Sequence, residues 1–352
     1  MWRDRRLLDL FGIEHPIVQA PMAGAQGSAL AIAVSEAGGL GSLPCALLSA
    51  EQARTELQII RQRTGMPFNL NFFCHEPPDP DPARDAQWVA LLAAYRAELG
   101  VERATMPGGR APFDETMCAL VEEFRPAVVS FHFGLPERRL LDRVRGAGSR
   151  IIASATTVAE ARWLEDHGVD AVIAQGAEAG GHRGIFLSQD IVSQPGTFAL
   201  VPQVADAVRV PVIAAGGIGD ARGIVAALAL GAAGVQIGTA YLLTPEATIS
   251  PIHRAALKEA REDQTVLTNV FTGRPARGIV NRAVHEIGPI SDMAPSFPNA
   301  ASAMLPLRLK AEAAGSREFT PLWSGQAPRF AREMPAGELT RALAAGALKR
   351  LG

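Results

Sequence analysis

Eight short apolar runs recur about every 28 residues between Ile17 and Thr239. They are 17–22 (IVQAPM), 39–43 (GLGSL), 68–73 (FNLNFF), 127–133 (AVVSFHF), 150–155 (RIIASA), 171–176 (AVIAQG), 211–217 (PVIAAGG) and 234–239 (GVQIGT). Each carries β-branched residues without sustained polar alternation, the pattern of a strand buried on both faces. Most are followed by an amphipathic segment that ends in Gly, as in 29–39, 156–168 and 221–231. Buried strands alternating with helices imply right-handed crossovers and a parallel sheet. Eight units favour closure into a (β/α)8 TIM barrel over an open doubly wound sheet.

Two intervals break the period. Residues 74–126 open on the Pro-rich CHEPPDPDPARD, continue with a helical pattern (QWVALLAAYRAELG) and reach the turn-rich MPGGRAPF. This reads as an insertion at the rim of a barrel that spans residues 1–245. Beyond 245 the period stops. Residues 246–352 then read as a C-terminal, mostly helical cap folding back on the barrel. Its expected parts are a helix at 251–263, an irregular stretch at 268–282, a helix around 301–314, a turn at 321–328 and a terminal helix at 337–350.

A net charge of −2 offers no basic surface for nucleic acid or an anionic membrane. The uncharged stretch 223–243 is mostly Gly and Ala, a buried helix and strand rather than a bilayer span. Cys45, Cys74 and Cys118 have neither disulfide-framework nor zinc spacing, so no metal is expected and a cytoplasmic location fits. The oligomeric state is open, with a homodimer as the commonest prior.

In a barrel of this kind the working face lies at the C-terminal ends of the strands. Those ends read Ala20-Pro21-Met22-Ala23-Gly24, Asn71, Ser130 to Gly134, Gln175 to Gly184, Ala215-Gly216-Gly217 and Gln236 to Thr239. Small residues concentrate at the seventh and eighth ends, where bare backbone lets N–H groups approach a phosphate. A phosphate-bearing cofactor over the mouth follows. Neither G-x-G-x-x-G after a first strand nor G-x-x-x-x-G-K-[ST] is present, which argues against a Rossmann domain or a P-loop. Within AQGAEAGGHRG, His182 is the main functional side chain, able to take a proton from a carbon acid or to stabilise an oxyanion. His132, inside an aromatic strand, reads by itself as a buried structural histidine. Glu178 either orients His182 or caps the loop. Asn71 and Gln175, polar in buried strands, suit the edges of a flat heteroaromatic ring.

Together QAPMAG, the Asn71 strand, SFHFG, AQGAEAGGHRG, PVIAAGGI and GVQIGT resemble the FMN-dependent nitronate monooxygenases, formerly 2-nitropropane dioxygenases, and among them class I. The resemblance spans 15 to about 282 and resumes at PLWSGQ. It implies that Pro21, Met22 and Ala23 line the isoalloxazine with their backbone. Asn71 and Gln175 would bond its polar edge or the ribityl chain. Gly180, Gly181, Gly216, Gly217, Gln236, Ile237, Gly238 and Thr239 would cradle ribityl and phosphate. Gly325 and Gln326 would bring the C-terminal segment back to the cofactor, and His182, with His132 beside it, would face the substrate.

The implied activity is oxidation of alkyl nitronates, such as propionate 3-nitronate, with O2 to carbonyl compounds and nitrite, by one-electron transfer to FMN. The rival readings are an FMN-dependent enoyl-acyl-carrier-protein reductase or an NAD(P)H:quinone reductase, and more remotely a flavin-binding protein without turnover. An inosinate-type dehydrogenase would need a cysteine after the sixth strand, and no Cys follows Cys118. Tyr95 and Tyr241 are the only tyrosines, so the region beyond 241 offers no phenol to the site. Phe271, Met304, His253, Phe297 and Trp323 are the candidates to close it.

Overall fold

The computed structural model describes residues 1–102 and 110–352. Eight parallel strands form one sheet: β1 (Ile17–Gln19), β2 (Gly41–Pro44), β3 (Phe68–Phe73), β4 (Val128–His132), β5 (Arg150–Ala155), β6 (Ala171–Gln175), β8 (Val212–Ala215) and β9 (Gly234–Ile237). A two-residue strand, β7 (Gly181–His182), lies outside it. The parallel pairs run in chain order from β2 to β9, and β1 pairs with β9. A parallel bridge between Val18 and Leu40 closes the ring, carried by Leu40 N–H to the Ile17 carbonyl and Gln19 N–H to the Leu40 carbonyl, both 2.9 Å. The fold is the expected TIM barrel.

The strands are buried almost throughout, which is why they carry Val, Ile and Ala without alternation. Helices Ser28–Ser35, Val158–Asp166 and Ala221–Ala229 occupy the expected places. Gly168 and Gly231 follow two of them at φ 82° and 96°, left-handed values that suit glycine. Three strands, β1, β8 and β9, end two or three residues before the apolar runs do. At Ala20–Met22, Gly216–Gly217 and Gly238–Thr239 the chain leaves the ladder and turns into the mouth.

The irregular stretch expected at 268–282 contains a strand. Thr265–Thr268 (β10) pairs antiparallel with Ala276–Ile279 (β11), and β11 pairs with β7. These strands are too short to show a period, and the second partner of β11, β7, lies about a hundred residues upstream. Helices Pro251–Glu259, Ala300–Ala313 and Ala336–Leu351 match the helical expectations in place. The last of them packs on Ala221–Ala229 and Ser28–Ser35, and its Leu339, Leu343 and Ala347 belong to the barrel's own core.

Helices Pro82–Leu91 and Ala93–Leu99 pack instead against Ala300–Ala313. A second core forms there around Trp88, Leu92, Phe271, Met304, Leu307 and Phe319, and the Trp88 indole donates to the Ala300 carbonyl at 3.2 Å. The turn expected at 106–113 lies outside the described residues up to 109. Among the described residues no helix is long and apolar enough to cross a membrane.

Candidate active site

A cavity of about 270 Å³ opens at the C-terminal ends of the strands. It gathers nearly every residue picked from the sequence: Pro21, Met22 and Ala23; Asn71, His132 and Gln175; Gly180, Gly181 and His182; Gly216 and Gly217; Gln236, Gly238 and Thr239; and Gly325. Two fall outside it. Ile237 points into the barrel core, and Gln326 is exposed, with its N–H donating to the Glu178 carbonyl at 3.0 Å.

The loop from Gly176 to Gly184 carries His182, and buried polar groups fix it from below. Gln175 Nε2 donates to the His182 carbonyl at 3.0 Å, and its Oε1 accepts from Gly184 N–H at 2.8 Å. Its amide therefore holds the loop before it offers anything to a ligand. The fully buried Arg183 donates to the carbonyls of Gly176 (2.5 Å) and Gln175 (2.7 Å) and to Gln194 Oε1 (2.7 Å). Arg277 donates to the Ala177 carbonyl at 2.8 Å. Glu160, 1% exposed, accepts from Thr156 on one oxygen and from Phe186 and Leu187 N–H on the other. Buried charges are tolerable only with such full sets of partners.

Glu178 does not orient His182. Its carboxylate accepts from Thr197 N–H (2.7 Å) and Oγ1 (2.8 Å), capping helix Thr197–Ala207. His132 is engaged at both nitrogens, Nδ1 with Ser154 Oγ at 3.0 Å and Nε2 with the His182 carbonyl at 3.2 Å. Burial, with Arg274 nearby, pushes its pKa down to about 3. Met22 is similarly committed, its N–H to Gln26 Oε1 and its carbonyl to Ala25 N–H.

His182 sits in an aromatic box. Phe297 and Trp323 lie 5.3 and 5.6 Å from its ring, with Phe133 at 6.0 Å and Phe73 at 6.2 Å. Burial holds its pKa well below the usual histidine range, and the positive field of Arg110 adds to the effect, so the ring is neutral. Of the cap candidates, His253 and Trp323 line the cavity, and Phe297 reaches His182. Phe271 backs Trp323 at 5.7 Å, while Met304 stays in the second core. His253 Nε2 donates to the Trp323 carbonyl at 3.1 Å, which fixes that wall.

Sequence reading missed the cations. Arg110 and Arg308 line the cavity, whereas no carboxylate does among the described residues. Arg110 lies over the Phe297 ring, 5.5 Å from its centroid, and burial lowers its pKa to about 10. Arg274 lies 3.9 Å over the Phe133 ring. Arg110 stands in a turn-rich stretch without period, so nothing in the sequence marks it as facing the site.

A closed barrel whose cationic mouth has no carboxylate among the described residues and is lined by three histidines belongs to the TIM-barrel enzymes. Residues 4–346 match the family model described as nitronate monooxygenase. The chain belongs to that family, and with it to the oxidoreductases. It is 44% identical over 342 residues to the nitronate monooxygenase of Pseudomonas aeruginosa, covering 96% of this chain and 97% of that one. Identity to the nitronate monooxygenase of Paraburkholderia phytofirmans is 43% over 347 residues, at 96% and 94% coverage. Among solved structures, the nitroalkane oxidase of Streptomyces ansochromogenes superposes with a TM-score of 0.89 at 42% identity, covering 98% of each chain. FabK from Thermotoga maritima is more distant, with a TM-score of 0.76, 29% identity and coverage of 100% and 98%.

Proposed function

We propose that the chain binds FMN across the barrel mouth and oxidises alkyl nitronates with O2 to carbonyl compounds and nitrite. Cationic walls without a carboxylate carry this reading, since they favour an anionic substrate beside a phosphate-bearing cofactor. The residues present fit the cofactor. Gln236 lines the cavity, and its Oε1 is buried without a protein partner. Among the described residues no group of the chain accepts from the N–H of Gly216, Gly217 or Thr239, and none donates to Asn71 Oδ1. Gly216 and Gly217, at φ 118° and 69°, turn the backbone sharply beside these free donors. Gly325 N–H donates to Thr239 Oγ1 at 2.9 Å, which ties the C-terminal turn to the same cradle.

When bound, FMN would supply the electron-accepting chemistry. Gly216, Gly217 and Thr239 would hold its phosphate, while Gln236 and Asn71 would bond its polar groups. Ala23, whose N–H has no acceptor among the described residues, would take the backbone role, because Met22 is already committed. Arg110 would draw the nitronate in and face its negative oxygens. His182 would meet the substrate as a neutral ring, and the surrounding aromatic groups would keep water away. His132 would act by holding the His182 backbone.

The same proposal divides the chain at 245/246 into barrel and cap, with helix Ala336–Leu351 returning by its packing to the barrel. It keeps a cytoplasmic location, with a homodimer as the commonest prior for the oligomeric state. Aerobic assay of the FMN-loaded protein with ethylnitronate, propionate 3-nitronate and NAD(P)H in parallel tests it. Nitrite release and oxygen uptake with a nitronate are expected. Rapid anaerobic bleaching of the flavin by NAD(P)H, with no nitrite from either nitronate, would establish a reductase instead.

A further inference from the structure

His182 is anchored through a single ring nitrogen. Its Nε2 lies 3.0 Å from Thr272 Oγ1, and that hydroxyl lies 3.3 Å from the Arg274 carbonyl oxygen. Thr272 sits in the turn that leads into β11, where its N–H and that of Gly273 both donate to the Asn269 carbonyl, at 3.3 and 2.7 Å. It is 2% exposed and does not line the cavity.

A hydroxyl has one proton to give. If Thr272 gave it to Nε2, the Arg274 carbonyl would go without it. If the proton goes to that carbonyl, which can only accept, the hydroxyl oxygen is free to accept from Nε2–H. The second arrangement makes both bonds and the first makes one. Nδ1 of His182, by contrast, has no hydrogen-bond partner among the described residues, and the residue borders the cavity.

We propose that Thr272 is a positioning residue that fixes His182 with its proton on Nε2, leaving Nδ1 as an open acceptor toward the cavity. The inference rests on the reading of His182 as the residue that meets the substrate. It divides the work at the site. His182 accepts and does not donate, so hydrogen bonding to the nitronate oxygens falls to the cavity's arginines, Arg110 and Arg308.

Two-bond nitrogen–proton correlation spectra of histidine-labelled, FMN-loaded protein test the proposal, with the His182 signals assigned by their loss in His182→Asn. The wild type is expected to show the Nε2–H form. Thr272→Ser is expected to keep it, and Thr272→Val to give a mixture or the other tautomer. Thr272→Val should also lose about tenfold in kcat/KM for ethylnitronate, the size of one net hydrogen bond, at unchanged flavin content. Thr272→Ser should recover that loss. An Nδ1–H form in the wild type, which needs no variant, overturns the proposal. So does a Thr272→Val spectrum identical to the wild type. Expected spectra together with full nitronate activity in His182→Asn would uphold the tautomer and overturn the reading of His182 itself.

Discussion

Nε2 of His132 lies 3.2 Å from the carbonyl oxygen of His182. A carbonyl cannot donate, so Nε2 carries the proton and Nδ1 accepts from Ser154. The two histidines thus have separate tasks. One is spent on the backbone, and the other keeps a free nitrogen at the cavity.

The first prediction concerns that free ring. His182→Asn is expected to retain FMN, because the cradle is built from other residues, while losing about a hundredfold or more of its activity on nitronates. Flavin absorbance of the purified variant and its rate of nitrite release check the two halves. Undiminished nitrite release at full flavin content would remove His182 from the mechanism.

Arg110 supplies charge to a cavity that no carboxylate lines among the described residues. Arg110→Gln should raise KM for ethylnitronate by about tenfold with a smaller change in kcat, since a fixed charge acts mainly on capture of the anion. Steady-state kinetics at low and high salt would show it, and the wild type should also lose affinity as salt rises. An unchanged KM would mean that the guanidinium does not see the substrate.

Gly180 has no room for a side chain. A Cβ there would lie 2.5 Å from Gly325 N and 2.6 Å from the Ser324 carbonyl carbon, both backbone atoms. Gly180→Ala must therefore push the 324–326 turn off Thr239, and flavin should be lost on dialysis at least about tenfold more readily than from the wild type. Gly181→Ala meets open space and contends only with its φ of 71°. That variant should retain flavin and lose about 1–2 kcal/mol of stability.

Stability should fall with acid. Burial holds His132 at about 3, His75 at about 4 and His253 at about 4, with His182 also well below its ordinary 6.5. These groups stay neutral in the folded state while the unfolded chain protonates through 6.5, so unfolding takes up protons between about pH 6.5 and 4. Above that window their contribution is complete, and it is lost as pH drops through it. Denaturant melts from pH 7.5 to 4.5 should show the decline, with a shallower slope in His182→Asn. A flat profile would mean that these rings are charged in the native state.

The barrel was legible because its strands are buried on both faces and each βα unit repeats one pattern. Even the overshoot of the apolar runs was informative, since the surplus residues at Gly216–Gly217 and Gly238–Thr239 form the mouth. What stayed hidden depends on pairings distant in the chain. Residues 276–279 pair with 265–268 along their length and with 181–182 at two positions, and no local period reports the second pairing. Arg110 and Thr272 lie outside helices and strands, where sequence shows polarity but not direction. Glu178 shows why nearness in sequence decides little: orienting His182 and capping were both open, and the carboxylate turns away to Thr197.

His182 is also the register partner of Ala276, so its strand belongs to a sheet whose other two members, 265–268 and 276–279, come from the C-terminal region. Swinging that region away as a door would carry the histidine with it and dismantle the site. Grafting the covering segment from a relative to change substrate range would succeed only if the graft brings its own copy of β11.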